Sequence, residues 1–249
     1  MVINLVISGN NVITCYNKRM DYISKNISNI IENISADRLY SYKFADNDST
    51  DLILSRYIFN VEISESFYPL LSALEISLRN RLYNAIAKLK GNDWLLNEIN
   101  QQNVLSQNAC MIVLEAYNKL KSKYKNVPSG AVVAELTFGF WINLCRKSYK
   151  NSLWDKQGFF ESVFPDFDKY FSSNALDKTK VIFPILKDIL RLRNRIFHHE
   201  IIINNKNGIE NCYSQTKKVL CSLSEDYAKM FESSLRFDNI VKQKPQQLH

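Results

Sequence analysis

"PLLSALEISLRNRLYNAIAKLKG", residues 69–91, is the stretch whose reading decides the fold. Leu71, Leu74, Leu78, Leu82 and Leu89 recur at helical spacing and keep one apolar stripe. Gly91 is placed to end the helix, and Lys88 and Lys90 complement the dipole of its last turn. The pattern extends back to Leu52, so the spacing predicts one long helix, with Pro69 near its start or at a kink. Gly (6) and Pro (5) are too scarce in 249 residues for a turn-rich β protein.

Working outward, helical patterns fill most of the chain. Ile23, Ile27, Ile30 and Ile34 share one helical face, and Ser35 or Asp37 is placed to cap the next turn. "ADNDSTD" (45–51) reads as a polar loop. Val104, Leu105, Ile112, Leu114, Tyr117 and Leu120 predict a helix over 103–125. A turn at Pro128–Gly130 precedes a helix running to about Trp154, and residues 155–171 read as a loop or short helix. Ile182, Ile185, Ile189, Leu192 and Ile196 mark a helix that carries "RLRNRIFHH". A last helix is predicted over about 212–237, with residues 238–249 a flexible tail. Trp94, Trp141 and Trp154 are read as core, and the Gly of "TFGFW" as allowing close helix approach. The expectation is one all-α domain over 1–249. "LRNR" occurs twice, at 78–81 and 192–195, without longer similar units around it, so no repeat architecture follows.

The charge is +7 and the pI about 9.0, which favours polyanionic partners. Five cysteines without a CxxC pair do not suggest a disulfide framework and fit a reducing cytoplasm. The opening "MVINLVISGN" lacks the pattern of a signal peptide, and no apolar run is long enough for a membrane span. Histidine is the informative scarcity: His198, His199 and His249 are all there are. Cys and His are not spaced as a zinc site needs, and no metal or cofactor is expected.

Two of those histidines close "LRLRNRIFHHE" (190–200). At about 100° per residue, Asn194 and His198 share a helix face, and the long side chain of Arg193 can reach round to them. Ile189, Leu192 and Ile196 face elsewhere. His199 falls on the opposite flank, one turn from Arg195. Such a group suits RNA cleavage without a metal. An imidazole can take the proton of a ribose 2′-OH or protonate the 5′-oxygen. A guanidinium can hold the scissile phosphate, and Asn194 can fix the imidazole or bind phosphate. The bland alternative is a solvated helix end, where Arg and His offset the dipole. In the first LRNR, Glu75 and Arg79 are four apart and can pair along one helix as a brace. The alternative is that Glu75, Arg79 and Asn80 stand behind Arg193 and His198 or touch RNA.

"LRNRIFHHE" resembles the motif of the Abi-like (abortive infection) proteins of the HEPN superfamily. Arg193-Asn194-Arg195-Ile196-Phe197-His198 fits their Arg-Asn-x-x-x-His form. "ISADRLYSY", "YIFNVEISESFYPLLSALEISLRNRLYNAI" and "LTFGFWINLCRKSYKNSLW" resemble further family segments in the same order, so the likeness covers about 30–205. It implies an HEPN-like helical bundle with additional N-terminal and C-terminal helices. It also implies an endoribonuclease that leaves a 2′,3′-cyclic phosphate and acts as a toxin-type phage-defence effector. Arg193, Asn194 and His198 would be catalytic, paired across a homodimer into a composite site. His199 also satisfies the looser Arg-x5-His spacing, and Glu200 can orient it or cap a turn. RNA is the expected partner, as substrate and as a possible regulator. The competing readings are a non-catalytic RNA-binding protein and a helical interaction module.

Overall fold

The computed structural model describes residues 18–19, 21–101, 103–172 and 177–242. The described residues are all helix, turn and coil, with no strand among them. Two compact units divide the chain: residues 1–65 with 237–249, and residues 66–236. The expected fraying of the last residues falls mostly outside the described ones, but Phe237–Val241 form a short helix rather than a tail.

In the first unit, α1 (Ile27–Ile34) and α2 (Ala36–Tyr40) precede α3 (Thr50–Lys90), which supplies both units. Ser35 separates α1 from α2 because its hydroxyl accepts the Arg38 backbone N–H, as its position predicts. The isoleucine face of the sequence is where the small core forms. Ile23, Leu39 and Leu54 are buried, and Ile27, Ile30, Ile31 and Ile34 pack against them. The polar loop after α2 is tied down by charge. The Arg56 guanidinium donates to the Asp48 carboxylate at 2.5 Å and to the Tyr42 carbonyl at 3.0 Å. Asp48 also accepts the backbone N–H groups of Phe44 and Ala45, both at 2.7 Å. A desolvated ion pair stabilises only when its remaining hydrogen-bonding capacity is filled, and here the backbone fills it. These contacts hold the Asp48 carboxyl down at about 2, the Arg56 hydrogen bond contributing most.

In the second unit, the rest of α3 buries Phe67, Leu70, Leu71, Leu74, Leu78, Leu82 and Ile86. Leu89, expected on this stripe, is instead 44% exposed in the final turn. Pro69 sits well inside the helix, not at its start. Gly91 ends α3 in a left-handed conformation (φ 89°), and its N–H reaches the Ala87 carbonyl. Then come α4 (Trp94–Gln101), which no periodicity announced, and α5 (Gln107–Leu120), shorter than expected at both ends. Between them the buried Glu98 carboxylate accepts the backbone N–H groups of Asn103, Val104 and Leu105, doing the work of a cap.

The single helix expected up to Trp154 is broken. α6 (Ser129–Glu135) and α7 (Phe138–Asn143) are followed by a 3₁₀ turn and a five-residue π turn at 150–154. Thr137 makes the break: its backbone is extended and its hydroxyl caps the Phe140 N–H, a local alternative to continuing the helix. α8 (Phe159–Val163) and α9 (Phe167–Tyr170) form the expected short helical turns. Their phenylalanines pack with Trp154, whose indole N–H bonds the Leu144 carbonyl. All three tryptophans are buried, as expected. A Cβ at Gly139 would meet Leu190 at 3.6 Å, ordinary contact distance, so no close helix approach depends on that glycine.

α10 (Thr179–Phe197) buries Ile182, Leu186, Ile189 and Leu192. The expected final helix is also broken, into α11 (Ile209–Leu223), α12 (Glu225–Met230) and a 3₁₀ turn, with α13 (Phe237–Val241) belonging to the first unit. Ser224 repeats the device of Thr137, extended in backbone and capping the Tyr227 N–H. Among the described residues, no helix is long and apolar enough to cross a membrane.

Candidate functional site

α10 ends sooner than the spacing of its motif suggests. Phe197 is its last residue and His198 its C-cap. His199 follows with φ 58°, left-handed, where glycine is the usual choice. The His199 N–H reaches the Ile196 carbonyl at 3.0 Å and the Glu200 N–H reaches the Arg195 carbonyl at 2.8 Å. That pair of bonds is the Schellman closure of a helix. The two histidines therefore stand on a turn, and a helical wheel does not locate His199.

Arg195 clasps this turn. It pairs with Glu200 at 3.5 Å and donates to the Ile201 carbonyl and to Asn204. Glu200 thus meets Arg195 across the turn through its carboxylate. His198 is exposed, and its imidazole makes no hydrogen bond to a described residue. Asn194 is also exposed; its carbonyl, not its amide, meets His198, accepting the backbone N–H at 2.9 Å.

Arg193 is held differently. Its guanidinium lies 4.3 Å over the Phe197 ring, one turn on, and that ring lies 6.3 Å from the ring of Tyr68. Its terminal nitrogen is 3.5 Å from the Glu75 carboxylate. Tyr68 and Glu75 are seven residues apart on α3, two helical turns, so they present one face to Arg193 and Phe197 of α10. Glu75 is therefore paired across the unit. Arg79 makes no ion pair with it, nor with any other described residue, contrary to the expected pairing along the helix. Arg79 follows Glu75 by one turn of α3, yet the carboxylate is given to Arg193 alone. The Nε atoms of Arg79 and Arg193 are both buried without a hydrogen-bond partner. Buried donors are almost always satisfied, and a buried unpartnered guanidinium N–H is a place where an acceptor is missing. Arg193 thus keeps one N–H of its guanidinium able to take an anionic oxygen, beside the partly buried Glu75 carboxylate.

Asn80 does not join it. It lies, with Arg81, in a separate cavity on another side of α3. Sequence reasoning thus grouped Glu75, Arg79 and Asn80, where the fold gives Glu75 to Arg193 and turns Asn80 to a separate cavity. It missed Tyr68 and Phe197. The i,i+4 spacing of Arg193 and Phe197 was the available signal for the second. Among the described residues, no group of three or more His, Cys, Asp or Glu side chains is gathered to hold a metal ion.

An exposed histidine on a helix-ending turn, and an arginine five residues earlier with a buried unpartnered N–H, mark a helical protein with a candidate anion site. The family model described as Abi-like protein matches residues 29–204, and the chain belongs to that family. No curated protein and no solved structure matches it.

Proposed function

We propose that this chain is a metal-independent endoribonuclease of the HEPN type, acting in the cytoplasm as an abortive-infection effector. Membership in the Abi-like family supports the abortive-infection role. The observation that carries the chemistry is the end of α10. Arg193 keeps a buried Nε–H without a partner, five residues before an exposed and unengaged His198. A scissile phosphate seated on Arg193, with Arg79 adding charge, would satisfy that donor and offset the charge that builds on the phosphate oxygens.

The reaction moves two protons. A base takes the proton of the 2′-OH, the 2′-oxygen bonds to phosphorus, and the bond to the 5′-oxygen breaks as an acid protonates it. The products are a 2′,3′-cyclic phosphate and a 5′-hydroxyl. Acid and base must lie on opposite sides of the phosphate, which one His198 cannot do. A homodimer supplies two copies of His198 across its two-fold, making a composite site; Asn194 at each helix end would position substrate.

The test is cleavage of single-stranded RNA in EDTA, with and without extract of phage-infected cells, by the wild type and His198→Ala. Cleavage by the wild type alone, leaving cyclic phosphate ends, is expected. No cleavage by either protein, or equal cleavage by both, refutes the reading. One observation favours a second reading, a non-catalytic RNA-binding protein: Arg193 is already engaged by Glu75 and Phe197. Its mark is salt-sensitive RNA binding, unchanged in His198→Ala, without cleavage.

A further inference from the structure

The middle of α10 and the first half of α11 do not close fully on each other. Between them lies a cavity of about 270 Å³, formed wholly within the second unit. Ile185, Asp188, Ile189 and Leu192 supply one wall at positions i, i+3, i+4 and i+7, a single face of α10. Asn211, Cys212 and Gln215 supply the other wall from α11, and Asn207, in the turn ahead of it, completes the lining. One wall is thus mostly hydrocarbon with a carboxylate set in it, and the other is carboxamide and thiol. No lysine, arginine or histidine among the described residues lines the cavity. That is the reverse of the chain as a whole, in which 32 basic residues outnumber 25 acidic ones.

The polar groups are short of partners. Gln215 Oε1 is buried and accepts no hydrogen bond. A buried acceptor without a donor is uncommon, because nothing offsets its lost hydration. The Asn207 and Asn211 carboxamides make no hydrogen bond to a described residue. Asp188 gives one oxygen to Arg191 at 2.9 Å, three residues on along the helix surface, between side chains 49% and 67% exposed. Such a pair is weak and leaves the second oxygen open. The Asp188 charge also reaches α11: burial pushes the Cys212 thiol up, and Asp188 pushes it further, so the thiol stays neutral. Arg195, whose charge opposes that shift, is spent on Glu200 and the Ile201 carbonyl. The cavity is left with one negative charge, unfilled carbonyl acceptors and an apolar wall.

We infer that this cavity binds a small aliphatic amine, its ammonium group on the Asp188 carboxylate and Gln215 Oε1 and its hydrocarbon part along Ile185, Ile189 and Leu192. An ammonium group carries three donors and no acceptor, so a site of unfilled oxygens suits it. Its hydrogen bond to Asp188 is charge-assisted. The one to Gln215 fills the acceptor that the fold leaves empty. A short alkyl stem lies on an apolar wall as the stem of a lysine does, and both leave water. Asp188 repels an anion, and an uncharged alkyl ligand would leave the buried oxygen unfilled. The volume is at the small end for organic ligands, which suits a short chain. The site uses neither Arg193 nor His198, and it does not need the cleavage reading to hold.

The experiment is calorimetric titration of the full chain, near neutral pH, with butylamine, putrescine, butanol and tetramethylammonium. Butanol has the stem without the charge, and tetramethylammonium has the charge without an N–H donor. The proteins compared are the wild type, Asp188→Asn, Gln215→Leu and Asp46→Asn, the last at a fully exposed carboxylate of the first unit. Saturable binding of butylamine or putrescine is expected, weakened about ten-fold or more by Asp188→Asn and about five-fold or more by Gln215→Leu. Asp46→Asn leaves it unchanged, because a chain of net charge +7 does not gather amines by its overall field. Gln215→Leu also removes the orphaned acceptor, so its Tm holds or rises while binding falls, which a merely structural role for Gln215 would not produce. Asp188 is half exposed, so Asp188→Asn is expected to melt with the wild type. The inference is overturned if neither amine saturates the protein at millimolar concentration, or if Asp188→Asn binds as the wild type does. It is overturned equally if butanol or tetramethylammonium binds as tightly as butylamine.

Discussion

Replacing Arg193 by lysine separates a structural brace from a chemical group. The structural contribution of Arg193 can be bounded. Its pair with Glu75 is 3.5 Å long between side chains 30% and 28% exposed, a class worth about 0–1 kcal/mol. Its stack on Phe197, a ring that is itself 44% exposed, adds about 0.5–1 kcal/mol. The buried unpartnered Nε opposes these by about 1 kcal/mol or more. Lysine keeps the charge, can still approach Glu75, and removes the orphaned donor. The net change in stability is therefore within about 1 kcal/mol, or about 2–4 °C in Tm for a chain of this size. A guanidinium that stabilises charge on a transferring phosphate is worth far more, about a hundred-fold to a thousand-fold in rate. A lysine does not reproduce its planar, two-toothed grip. Arg193→Lys is thus expected to melt within about 4 °C of the wild type, while cleaving RNA about a hundred-fold more slowly. Calorimetric melting and single-turnover cleavage of a labelled oligonucleotide give the two numbers. Cleavage within about three-fold of wild type would take the guanidinium out of the chemistry, and a Tm loss beyond about 10 °C would make Arg193 a brace.

His199→Gly tests which histidine matters. Glycine removes a left-handed cost of about 1–2 kcal/mol and adds about 0.5–1 kcal/mol of chain entropy, so stability is expected to hold or rise by up to about 1 kcal/mol. Cleavage should persist; its loss with Tm retained would move the acid–base role from His198 to His199. Asp48 makes the first unit acid-sensitive. Its folded pKa, about 2, lies below the ordinary carboxylate value, so the stabilisation is complete above about pH 4 and fades as pH falls toward 2. Asp48→Asn should therefore lower Tm at pH 7 and approach the wild type near pH 2; an equal Tm difference at both pH values would refute the linkage. Glu98→Ala strips the acceptor from three backbone N–H groups between α4 and α5 and is expected to cost about 3 kcal/mol in chemical denaturation. A loss below about 0.5 kcal/mol would mean that solvent replaces the carboxylate there.

Much of the helix content was legible because burial on one side of a helix leaves a period in the sequence. The leucines from Leu71 to Leu82 and the series Ile182, Ile189 and Leu192 are buried where their spacing put them. The breaks at Thr137 and Ser224 were not legible. Apolar periodicity runs on across both, and a threonine or serine hydroxyl that caps the next turn looks, in sequence, like one that merely tolerates the helix. The motif around Arg193 and His198 was visible as letters, but its geometry was not. Its helix stops at Phe197, and a left-handed His199 turns the chain away from the wheel on which the residues were first arranged.

The partner of Glu75 shows most clearly where the division falls. By itself the sequence determined that this is an all-α chain of the Abi-like family, because the periods and the motif order are local properties of the string. Both Arg79, one turn away, and Arg193, 118 residues away, were acceptable partners for that carboxylate. Only the packing of α10 beside α3 decided for Arg193. An i,i+4 spacing permits a weak, solvent-screened pair, whereas a tertiary contact that half-buries the carboxylate demands a cation from whatever helix faces it. That decision left Arg79 without an ion pair to a described residue, while Arg81 lines a cavity on another side of α3, so the two arginines of one LRNR face different surroundings.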